Sequence, residues 1–181
     1  SLVVLVWGAF AARTRASGRL FAWVTLLSVL GALAGVVFGV SPQIERGVTM
    51  AFSGQLVVDA FGSFFAVLFL VTAALAIAAS ARFLEDEEAH FPEYYFFMLV
   101  ALVGMMIMAR GADLISIFVG LELQALSVYV LVGYLKKDRR SNEGGLKYFI
   151  LGGLSSGVFI YALSLIYAVV GTTSLAAIGT S

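Results

Sequence analysis

The feature that most constrains this chain is a succession of apolar stretches, each about 20 residues long, separated by short charged or glycine-rich breaks. Phe61 to Ser80, for example, reads FGSFFAVLFLVTAALAIAAS and carries no charge. About 20 such residues span the hydrocarbon slab of a bilayer as a helix, and a helix satisfies every backbone polar group within the segment. The pattern predicts an all-α polytopic membrane protein of about six transmembrane helices in one domain. A soluble fold is excluded by composition: only 12% of the 181 residues are charged, against about 25% in soluble domains.

The spans are expected at 20–40, 60–81, 94–109, 114–135 and 146–170. The run Leu2–Ala12 is too short to cross a bilayer. Its arginines follow the apolar stretch rather than precede it, unlike a secretory signal. It is therefore read as a partial first helix, and the small polar residues Thr172–Ser181 as a loop. Residues 43–59 mix charges, glycine and β-branched residues, which suits either a small hairpin or an interfacial stretch.

Basic residues set the orientation. Arg13, Arg15, Arg19, Arg82, Lys136, Lys137, Arg139 and Arg140 fall in alternate loops, with Lys147 just inside a helix on the same side. The other side holds only Arg46 and Arg110. The positive-inside rule places loops 13–19 and 136–140 in the cytoplasm. Glycines at 31, 35 and 39, and at 153 and 157, recur at four-residue spacing, the pattern that lets helix backbones approach closely in lipid.

Several chemistries drop out early. The chain has no cysteine and a single histidine, His90, so it is expected to hold no thiolate cluster, zinc or haem site by itself. Eleven basic residues balance eleven acidic ones, which removes any general affinity for nucleic acid. Neither a phosphate-binding glycine loop nor a nucleophile–base constellation is present.

Glu122 stands apart. It lies eight residues after Leu114 and thirteen before Leu135, which puts it well inside the slab at about 1.5 Å per residue. An acid there costs at least about 2.5–3.5 kcal/mol on insertion scales. Helical periodicity places it on one face with Ala125, Tyr129 and Gly133, a small and partly polar stripe suited to a protein-lined environment. Desolvation favours the neutral acid, whereas a nearby ammonium favours the carboxylate. Moving such an ammonium would switch the acid between binding and releasing a proton. Lys147, at the start of the last span, is the second candidate, read either as a snorkelling interfacial lysine or as a coupling residue. Asp59 and Asp113 are expected at helix starts, where a carboxylate suits the dipole. Glu85–Glu88 read as a solvated loop, and residues 91–97 as an interfacial aromatic belt.

Two stretches carry a family resemblance. They are DLISIFVGLELQALSVYVLVGY (113–134) and, after the basic loop, EGGLKYFILGGLSSGVFIYALSLIYAVVGTTSLAAIG (143–179). In wording and order they resemble the antiporter-like, proton-translocating membrane subunits of respiratory complex I (NADH–quinone oxidoreductase), most nearly the subunit N branch. That resemblance implies a fold of about fourteen helices with inverted repeats, of which this chain would supply an N-terminal part. It implies a proton-translocating role in an enzyme complex, coupling electron transfer from NADH to quinone in other subunits to proton export. Glu122 would be the embedded acid of the fifth helix, and Lys147 a functional charge on the sixth. It also implies no redox centre in this chain; NADH, FMN, iron–sulfur clusters and quinone would be bound by other subunits. Expected partners are other complex I membrane subunits, including neighbouring antiporter-like ones, and the expected location is the bacterial inner membrane. A multi-subunit cation/proton antiporter shares the same acid, and a purely structural membrane subunit would leave Glu122 unexplained.

Overall fold

A computed structural model describes residues 15–40, 48–87 and 92–180. The first span, α1 (Arg15–Ala34), runs on into a wider π turn over Gly35–Val40. A two-stranded hairpin follows, β1 (Thr49–Ala51) and β2 (Leu56–Val58), with Met50 opposite Val57. Its tip turns through Phe52, Ser53 and Gly54, all at positive φ. Then come α2 (Ala60–Asp86), α3 (Pro92–Arg110), α4 (Leu114–Val132), α5 (Arg139–Val170) and a short α6 (Leu175–Ile178). Among the described residues, five helices are long and apolar enough to cross a membrane. The chain is a polytopic, membrane-embedded helical protein. The apolar run 2–12, residues 41–47 and His90 lie outside the described residues.

Local chemistry sets the helix ends. Asp59 caps α2 through its carboxylate, which accepts from Gly62 N at 2.7 Å. Asp113 caps α4 by accepting from Ile115 N at 2.8 Å, and Asp138 caps α5 by accepting from Arg140 N at 2.9 Å. Each satisfies an amide that the first helical turn leaves without a partner. Pro92 opens α3, where its missing N–H is no loss. Gly171, at φ 75°, closes α5, a conformation that glycine adopts without strain.

Two helices outrun their apolar stretches. α2 continues past residue 81 through Arg82, Glu85 and Asp86, and α5 begins at Arg139 rather than near 146. Hydrophobicity marks the edge of the bilayer, not the end of the helix, and Arg, Leu and Glu are good helix formers in water as well. At 1.5 Å per residue the 32 residues of α5 reach about 48 Å, well beyond a hydrocarbon core of about 30 Å.

The helices alternate in direction. Arg19 Nε of α1 meets Glu85 Oε1 near the end of α2 at 2.7 Å. Tyr94 at the start of α3 meets the Tyr134 ring just after α4, with centroids 5.0 Å apart. These contacts place Arg19 and the 136–140 loop at one end of the bundle. The opposite end is knitted by backbone: Ala112 N donates to Gln55 O of the hairpin turn at 2.9 Å, Leu114 N to Thr173 O at 2.9 Å, and Leu175 N to Ala112 O at 3.0 Å. Thr173 Oγ1 adds a 2.5 Å bond to Asp113 Oδ2.

The core lies among the first three helices: Phe21, Ala22 and Val29 of α1, Leu70, Ile77 and Leu84 of α2, and Tyr95 and Leu102 of α3. α4 packs closely on α3, and α5 lies along α4.

The regularly spaced glycines are not where the described helices approach most closely. Among the described residues, a side chain at Gly31, Gly35, Gly39, Gly153 or Gly157 would meet nothing within 4 Å. Close approach occurs instead at Gly104 and Gly120: a Cβ at Gly104 would lie 2.6 Å from Gln124 N, and one at Gly120 would lie 2.8 Å from Gly104 O. Regular spacing shows that a helix carries a smooth stripe, but not which neighbour meets it.

Candidate proton-handling site

The site is the seam between α4 and α5. A six-residue connection, Gly133–Asp138, turns the chain back on itself and fixes an antiparallel register. Ser141 Oγ locks that turn by donating to Val132 O at 2.7 Å and accepting from Leu135 N at 3.2 Å. Asn142 Nδ2 donates to Lys136 O at 2.8 Å.

From this turn the pairing climbs regularly. Gly145 lies on Gly133, where a Cβ would come within 2.8 Å of the Gly133 Cα. The Tyr129 ring meets Tyr148 and Phe149 edge-on, at centroid distances of 5.0 and 6.0 Å, and its phenol lies over Gly152. Next, Ser156 Oγ donates to Glu122 Oε1. Above that pair, Phe118 stacks on Phe159 at 5.7 Å with 15° between the rings.

The stripe of Glu122, Tyr129 and Gly133 read from helical periodicity is thus the face that α4 turns to α5. Glu122 is half-buried in the middle of the seam, between an aromatic pair and a tyrosine. A carboxyl that accepts from a hydroxyl and lies among apolar neighbours can take up or release a proton with little other rearrangement. Ser156 was not picked out from sequence; the short connection with its constant register would have paired it with Glu122.

Lys147 is placed differently. Its side chain is 70% exposed and its Nζ lies 2.6 Å from Glu143 Oε1, one turn back on α5. Nine residues separate it from Ser156, which is about 13 Å along the axis and half a turn round. The structure therefore does not bring Lys147 to Glu122. The reason is local: an acid at i−4 satisfies the ammonium on its own helix. That spacing was readable from Glu143 and Lys147 directly.

Comparison with known proteins agrees with this architecture. Residues 111–181 match the family described as NADH:quinone oxidoreductase/Mrp antiporter, transmembrane. Fold and match together define the class: a polytopic membrane protein whose residues 111–181 belong to the NADH:quinone oxidoreductase/Mrp antiporter transmembrane family. Within it, the similarity runs to the subunit N branch. NADH-quinone oxidoreductase subunit N 1 of Koribacter versatilis is 53% identical over 135 residues, which cover 75% of this chain and 26% of that protein. Subunit N of Trichlorobacter lovleyi is 41% identical over 157 residues, covering 87% of this chain and 31% of that protein. The chain thus spans about a quarter to a third of the length of these relatives. Among solved structures, a chain of respiratory complex I from Thermus thermophilus with bound aureothin superposes with a TM-score of 0.74 at 27% identity, over 96% of this chain and 36% of that one. A chain of the archaeal membrane-bound sulfane sulfur reductase shares the fold, with a TM-score of 0.70 over 99% of this chain and 37% of that one.

Proposed function

We propose that this chain forms part of a proton-translocating subunit of NADH–quinone oxidoreductase and that Glu122 is the group in it that takes up and releases a proton. The observation that carries the reading is the position of Glu122: a half-buried acid in the middle of an apolar span, hydrogen-bonded by Ser156 in the seam against α5. Electron transfer from NADH to quinone belongs, on this reading, to other subunits of the assembly. The energy it releases moves protons against about 2.3 kcal/mol per charge for each 100 mV. The partners are neighbouring complex I membrane subunits, the location is the bacterial inner membrane, and loops 13–19 and 136–140 face the cytoplasm. Lys147 serves at the basic end with Glu143 as a surface charge pair near the path, not as the direct partner of Glu122.

Replacing Glu122 with Gln in the full-length protein tests this. The complex is expected to assemble and oxidise NADH while proton pumping into inverted vesicles collapses; normal pumping would sink the assignment. The family match also names Mrp antiporters, which gives a second reading as a cation/proton antiporter subunit. A tagged full-length protein that migrates apart from the NADH-oxidising band on a native gel would favour it.

A further inference from the structure

Glu122 has a neighbour in the seam that the proposed function does not yet use. Tyr129 lies seven residues further along α4, about 10 Å towards the basic end, and is turned to the same partner helix. Its ring is held by two edge-on contacts, Tyr148 at 5.0 Å and Phe149 at 6.0 Å. Its phenol end lies where a side chain at position 152 would otherwise stand: a Cβ on Gly152 would collide with Tyr129 Oη and Cζ and come within 2.9 Å of Cε1. The notch at Gly152 thus seats a hydroxyl rather than joining two backbones.

The location of that hydroxyl is informative. Ser156, which donates to Glu122, is one helical turn beyond Gly152, and side chains four apart on a helix lie about 5–6 Å from each other. A phenol seated at Gly152 thus stands about one turn from the Ser156–Glu122 pair, a separation that a water can bridge. A phenol both donates and accepts, so it can pass a proton on one side and receive one on the other with no net change. The ionisable group that meets its ring is Tyr148 on α5, at 5.0 Å between centroids, and Glu122 lies about two turns back on its own helix. Tyr148 is itself exposed, near the exposed Glu143–Lys147 pair at the basic end.

We propose that Tyr129, seated in the Gly152 notch, is the relay hydroxyl through which Glu122 exchanges protons with the basic end of the bundle. In each transfer the Tyr129 O–H proton passes through the bridging water to the Glu122 carboxylate. A proton from the basic side restores the phenol, and the reverse order empties the acid. The inference rests on Glu122 being the proton-handling group.

The test uses the full-length protein in its assembled complex, in inverted vesicles, with pumping normalised to the assembled complex. Tyr129→Phe keeps the ring and its packing but loses the hydroxyl. It is expected to leave assembly intact, to lower pumping by roughly tenfold or more, and to change the pH profile of pumping. Gly152→Ala keeps the hydroxyl but displaces it from the notch, and is expected to lower pumping similarly. The double variant should be no worse than either single one, because both interrupt the same step. Wild-type pumping and an unchanged pH profile in Tyr129→Phe would overturn the relay, as would strictly additive losses in the double variant. A Glu122→Gln control separates the two claims. If it pumps normally, the reading of Glu122 falls; if it is inactive while Tyr129→Phe is normal, only the relay falls.

Discussion

The α1–α3 core and the α4–α5 seam are both helix packings in the same membrane, yet they are built from opposite materials. The core interlocks Phe21, Leu70, Ile77 and Leu102, side chains that fill space and carry no proton chemistry. The seam interlocks glycines, a serine, tyrosines and an acid, and α5 contributes almost nothing to the buried interior of this chain. Lipid is as apolar as leucine, so in both places association depends on close packing and hydrogen bonds rather than on escape from water. The difference lies in what the packing leaves behind: a filled interior in the core, and a line of hydroxyls around Glu122 in the seam. On the proposed reading of Glu122, bundle stability and proton chemistry fall to different helices.

That division can be broken by substitution. The largest effect on assembly is expected from Gly104→Ala, because its new methyl would meet the Gln124 and Gly120 backbones at 2.6 and 2.7 Å. Overpacking of this kind costs about 1–3 kcal/mol. The yield of assembled complex on native gels should fall. Loss of pumping with normal yield would erase the division.

A smaller effect is expected from Ser156→Ala, which removes the hydroxyl donated to Glu122. A hydrogen bond to a charged or ionisable group is worth about 1.5–3 kcal/mol, so the pH at which pumping is half-maximal should move while the heat stability of the complex stays close to wild type. An unmoved pH profile would show that the bond does not tune the acid.

The smallest effect on stability is expected from Lys147→Ala. Its pair with Glu143 is largely exposed, and such pairs contribute well under about 1 kcal/mol. Thermal inactivation should be unchanged, so any loss of pumping in this variant reports a role in proton delivery. A marked drop in heat stability would instead show that Lys147 is packed against another element.

Much of this organisation was legible in the residues. Apolar runs located the spans because the bilayer imposes a length, and Asp59 and Asp113 announced helix starts because the first amides need acceptors. Glu122 was conspicuous because an acid is costly in lipid. The extents of α2 and α5 were not legible, since helices persist after hydrophobicity ends. Gly104 and Gly120 were passed over for the more regular Gly153 and Gly157, because close approach depends on which residue the neighbour presents. Ser156 and the Gly152 notch became visible only once the short turn at Gly133–Asp138 had set the register between α4 and α5.

The central claim, that Glu122 changes protonation during turnover, is tested most directly by infrared difference spectroscopy of the assembled complex before and after NADH is added. The account predicts a protonated-carboxyl band that changes on turnover and is absent from the Glu122→Gln variant. Identical difference spectra for the wild type and the variant would contradict it.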